Sequence, residues 1–209
     1  MKGNFYTLGF AAGLGAVCAL LLTAAASFTY PYKTANARAE EVLNILTVLK
    51  VPFQADVSPE QLVKIFSTNV REESRGDVTV YVYSPPQAKG KTQAVAALFS
   101  GPGLWGPIKG FLALEPDMKT IRGITFHEQE ETPGLGGEIA SSWFREQFVS
   151  KSIVDEAGKP GIIIQQGKGK PASNEVDAIT GATMTCNKVE AMLNTAIKTI
   201  VEEINRNGQ

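Results

Sequence analysis

Residues 3–32 carry no charged side chain, and the stretch 5–28 is apolar and long enough to cross a bilayer as one helix. Tyr6, Tyr30 and Tyr32 stand at its ends, where interfacial aromatics are favoured. The pattern then becomes amphipathic. Ala39, Val42, Leu43, Ile45, Leu46 and Leu49 recur at helical spacing and predict a helix over 34–50 that continues from the apolar segment. Ser58-Pro59-Glu60-Gln61 marks a second helix start, with Ser58 as cap, Pro59 in the first turn and Gln61 able to complete a capping box. After it the period drops to two. Residues 78–83 alternate β-formers, 94–99 form a second apolar run, and 111–114 and 121–126 flank a turn at Pro116-Asp117. A helix over 138–148 and a buried strand at 162–164 follow. The last helix, over 185–205, turns Val189, Met192, Leu193, Ala196, Ile197, Ile200, Val201 and Ile204 inward. Strands in succession followed by helices predict an α+β domain with a twisted, largely antiparallel sheet and helices packed on it. Residues 1–32 form the tail and anchor, and 33–209 a single domain.

Composition narrows the chemistry. Basic and acidic residues nearly balance, 20 against 21, and no basic stripe points to nucleic acid. Of the two cysteines, Cys18 lies in the apolar run and Cys186 far from it, so a disulfide framework is excluded by count. The spacing for an all-cysteine iron–sulfur cluster is missing. His127 is the one histidine, which excludes a His-rich metal site. Beside Glu128, Glu130 and Glu131 it reads as a polar strand end.

Two readings of the apolar segment stay open on residues alone. Ala24-Ala25-Ala26 offers a signal-peptidase site, while the length of the run favours a retained anchor. A lipoprotein ending at Cys18 is disfavoured because Val17 precedes it, where a small residue is expected. Lys2 favours an amino end inside, and Lys33 and Arg38 pull the other way.

The most specific motif is Asp177-Ala178-Ile179-Thr180-Gly181-Ala182-Thr183. It reads D-x-x-[ST]-G-A-T, the pattern at which a flavin transferase esterifies FMN phosphate onto the last threonine. The residue types suit that chemistry. Thr183 supplies the acceptor hydroxyl, and Gly181 and Ala182 leave room for flavin and transferase. The helix that follows offers free amides and its positive dipole end to a phosphate. Thr180 and Thr185 add hydroxyls nearby. The plainer reading is an ordinary turn running into a helix.

The loop 131–138 is a second candidate. Its glycines expose backbone amides to a planar ligand, Leu135 can lie on a ring, and Glu131, Thr132 and Gly136 can hydrogen-bond one. A glycine-rich turn before a helix explains it equally well. By contrast Gly101-Pro102-Gly103-Leu104-Trp105-Gly106 fits a dinucleotide fingerprint only superficially. A strand rather than a helix follows it, and Leu104 and Trp105 read as apolar plugs of a turn.

These segments occur in a telling order: Gly101 to Trp105, Gly123 to Phe126, Glu131 to Ile139, Gln147-Phe148, then the flavin motif. The chain resembles the C subunit of the sodium-translocating NADH:quinone oxidoreductase family and, less closely, the G subunit of the Rnf electron-transport complex. The resemblance covers about residues 93–194 and the anchor. It implies covalent FMN as a phosphoester on Thr183, flavin contacts from the 131–138 loop, and a retained single-pass anchor in the bacterial inner membrane. It further implies a periplasmic domain, partner membrane subunits, a flavin transferase during maturation, and NADH oxidation by another subunit rather than by direct binding here. An Rnf-type subunit acting between ferredoxin and NAD is the rival complex. An anchored binding or assembly subunit without flavin is the rival of another class.

Overall fold

The computed structural model describes residues 2–54, 56–75, 78–167 and 172–207. They fall into two units that divide between Ala39 and Glu40. The first unit is helical. Helix α1, Lys2–Val48, begins there and is long and apolar enough to cross a membrane. Its large side chains Phe5, Leu14, Leu21 and Phe28 are exposed, as lipid-facing groups would be. Pro31 lies within it, where the missing N–H removes one ladder bond.

The second unit is a five-stranded antiparallel sheet covered on both faces. Its strands are β1 Val70–Arg75, β2 Val78–Tyr83, β3 Ala94–Pro102, β4 Pro107–Leu114 and β5 Ile121–Glu128, adjacent in chain order. Alternation explains the layers. Val80, Val82, Val95, Ala97, Phe99, Leu112 and Leu114 enter one core. Tyr81, Tyr83, Ala94, Ala96, Phe111 and Ala113 enter the other. The second core is completed by Val42, Ile45 and Leu46 near the end of α1, by Leu49 just after it, and by Leu62 and Phe66 of α2, Pro59–Asn69. The expected capping box starts α2: Ser58 Oγ accepts from the Gln61 amide at 3.4 Å, and the Ser58 amide donates to Gln61 Oε1 at 3.1 Å. Arg122 ties β5 to the end of α1, donating to the Leu49 carbonyl at 2.9 Å and to Glu115 at 2.9 Å.

Helix α4, Thr183–Asn207, fills the first core with Cys186, Val189, Leu193, Ile197 and Ile200. A short parallel pair, β6 Ile163–Gln165 and β7 Glu175–Asp177, lies beside it. Polar side chains of α4 satisfy that segment's backbone: Asn194 holds both the amide and the carbonyl of Ile162, and Glu190 takes the Ile164 amide at 2.6 Å.

Several expectations are corrected. β1 is an additional strand, because Arg71, Glu72 and Glu73 hide its strand character; as an edge, those charges discourage further pairing. β3 and β4 run past the expected ends into a tight hairpin. The helix expected over 138–148 is broken. A 3₁₀ turn, Gly136–Ala140, stops at Ser141, which then caps α3, Ser142–Glu146. Ile163 is exposed between buried Ile162 and Ile164. α4 begins at Thr183, not Thr185, and the Ile204 side chain lies outside the described residues.

Candidate functional site

Three segments meet at the start of α4. The first is the motif itself. Gly181 adopts φ +80°, a left-handed turn that glycine tolerates without strain. The Ala182 amide bonds back to Ile179 at 3.1 Å, and the Ala182 carbonyl accepts the first helical bond from Cys186 at 2.9 Å. The amides of Thr183, Met184 and Thr185 therefore lie in the first turn, without intrahelical partners. Thr183 is exposed, Thr185 is buried, and α4 has no acidic residue in its own first turn.

The second segment is the loop after β5. The Thr132 carbonyl accepts the amides of Leu135 and Gly137 and so rolls the chain into the 3₁₀ turn. Gly134 takes φ +75°, and Leu135 is left 44% exposed. The third is the β3–β4 turn, closed by the Gly103 amide on the Gly106 carbonyl at 2.8 Å. A strand follows, as expected. Leu104 and Trp105 project from its tip, 42% and 70% exposed.

Buried Glu131 joins all three. Its Oε1 accepts the Leu104 amide at 2.6 Å and the Trp105 amide at 3.3 Å, and its Oε2 accepts the Thr185 hydroxyl at 2.6 Å. Gly136 lies against this group. A Cβ there would stand 2.5 Å from Thr185 Oγ1 and 2.7 Å from Glu131 Oε2, so only glycine fits.

These segments wall an open pocket of about 240 Å³. Glu131, Thr132, Leu135, Gly136, Gly181, Ala182, Thr183 and Thr185 line it, together with Leu104, Trp105 and Met184. Asp177 and Thr180 lie outside the lining. The Asp177 backbone is clasped by Gln147, which accepts its amide at 2.8 Å and donates to its carbonyl at 3.3 Å. Sequence reasoning reads Leu104 and Trp105 only as plugs and passes over Met184. Two large apolar residues at the tip of a glycine turn are the available signal.

Cys186 and His127 lie outside the pocket lining. Cys186 is buried, accepts the Ile179 amide at 3.4 Å, and burial pushes its thiol above the usual value. His127 stacks on Phe111 at 5.0 Å, and burial holds its imidazole below the usual value. No metal-ligating cluster occurs among the described residues.

Residues 103–198 match the FMN-binding domain family, a span that contains every residue lining the pocket. A Neisseria meningitidis protein, named as the C subunit of Na(+)-translocating NADH-quinone reductase, is 40% identical over 52% of this chain. That alignment reaches only 42% of the relative's length. The protein of the same name from Vibrio campbellii is 30% identical over 88% of this chain and 87% of its own length.

This chain belongs to the family of these C subunits.

Among solved structures, the C subunit from Parabacteroides distasonis has a TM-score of 0.69 and 25% identity, covering 82% of this chain and 94% of that one. The resemblance read from the ordered motifs is thus a family relationship, and the α+β architecture is shared with a solved member of the family.

Proposed function

We propose that this chain is a membrane-anchored electron-transfer subunit of a sodium-translocating NADH:quinone oxidoreductase, bearing FMN as a phosphoester on Thr183. The observation that carries the reading is the position of Thr183. It is an exposed hydroxyl on the rim of the pocket, at the first turn of a 25-residue helix. The amides of that turn and the helix dipole favour the phosphate. Ester formation joins Thr183 Oγ1 to the FMN phosphorus, and the hydroxyl hydrogen and one phosphate oxygen leave as a net loss of water, so the side chain needs no buried partner of its own.

The residues fit the cofactor. At about 240 Å³ the pocket is smaller than the roughly 300–1,000 Å³ of a cleft that engulfs a drug-sized ligand. It suits the phosphate end and one edge of the ring, with the rest lying over exposed Leu104, Trp105, Leu135 and Met184. Thr132 and Gly136 supply polar contacts at the wall, and Asp177 and Thr180, outside it, are left for recognition by the transferase. When bound, FMN supplies the redox chemistry and can exchange electrons singly with one-electron carriers.

α1 anchors the chain in the bacterial inner membrane with the domain on the periplasmic side, where a tethered flavin cannot be lost by diffusion. Partner subunits oxidise NADH and reduce quinone. The test is denaturing electrophoresis after co-expression with a flavin transferase. Flavin fluorescence must stay with the polypeptide, vanish in Thr183→Ala and disappear when the transferase is omitted. Fluorescence that washes out on denaturation would refute the tether.

A further inference from the structure

Glu131 is a carboxylate, 4% exposed, on the wall of the pocket. Its hydrogen bonds come from neutral donors: two amides of the β3–β4 turn and the Thr185 hydroxyl. No lysine or arginine forms a salt bridge with it among the described residues. Neutral donors spread a negative charge without cancelling it. The opposing field is that of the α4 N-terminus, worth about half a positive charge against a full negative one. Burial keeps water from screening the carboxylate, whereas the exposed first residues of α4 leave the helix field open to solvent. Neighbouring Glu130 lies against Gly106 but is exposed, so its charge is screened.

We infer that Glu131 sets the charge of the flavin site and holds its reduction potential low. Reduction adds electron density to the cofactor, and an uncompensated carboxylate on the wall disfavours it. The same three hydrogen bonds fix Leu104, Trp105 and the first turn of α4, so Glu131 is also a positioning residue. The inference rests on FMN occupying this pocket.

The test uses the full chain co-expressed with a flavin transferase, as wild type, Glu131→Gln, Glu131→Asp and Glu130→Gln. Intact mass reports attachment, and spectroelectrochemical titration reports the potential. The glutamine variant is expected to keep covalent FMN and titrate at a more positive potential. The aspartate variant keeps the charge but shortens the reach and is expected to shift less than the glutamine variant, and the Glu130 variant is expected to stay close to wild type. An unshifted glutamine variant overturns the inference. So does an equal shift in the glutamine and aspartate variants, which would assign the effect to geometry, and so does loss of FMN from the glutamine variant alone. In each of those outcomes the wild type still carries FMN and the Thr183 reading stands. A wild type without covalent FMN overturns both.

Discussion

The Thr185 hydroxyl donates a hydrogen bond to Glu131 across 54 residues of chain, with Oγ1 and Oε2 2.6 Å apart. That bond fastens the start of the flavin-motif helix to the loop after β5, and both residues are buried. Thr185→Val keeps the shape and removes the donor. It is expected to cost about 1–3 kcal/mol, because a buried acceptor loses its partner. Thr185→Ser should recover most of the loss. Urea unfolding of the three chains measures it, and a valine variant as stable as wild type would show the bond to be idle.

Gly136 provides the space that bond occupies. Gly136→Ala is expected to destabilise by about 1–3 kcal/mol, since the new methyl must displace packed atoms. It should also reduce the yield of flavinylated protein. Melting temperature and flavin content, read on the same sample, check both effects.

His127 predicts a pH dependence. Burial lowers its folded pKa, partly opposed by Glu128, Glu41 and Glu40. The unfolded chain, with an imidazole near pH 6.5, therefore binds more protons than the folded one below that value. The contribution of neutral His127 is complete above about pH 6.5 and is lost as pH falls toward the folded pKa. His127→Gln should flatten the acid side of the stability curve below about pH 6.5. Equal slopes in both proteins would remove His127 as the cause.

The apolar half of α1 should hold the chain in the membrane fraction after a high-salt wash. Amino-terminal sequencing of the mature protein discriminates the alternatives. A start at Ser27 would mean that the segment is a cleaved signal.

The sheet is largely legible in the sequence because β2 to β5 alternate between two cores and so write their burial into a period of two. α4 is legible for the same reason at helical period. The misses share a cause: local signals are overridden by neighbours. β1 is charged because it is an edge. The expected 138–148 helix is interrupted because Ser141 turns from follower into cap. At the site, Thr183, Gly181 and the 131–138 loop can be named from motif and glycine spacing. That Leu104, Trp105 and Met184 share their pocket cannot. The convergence depends on the carboxylate of Glu131 reaching two segments distant in sequence, and nothing local announces which glutamate is buried.

Intact-mass analysis of the full chain, co-expressed with a flavin transferase, tests the central claim most directly. The wild type should be heavier than its sequence by one FMN less one water, Thr185→Ala should carry the same increment, and Thr183→Ala should match its bare sequence. An FMN increment on Thr183→Ala would place the ester on another residue and contradict the assignment.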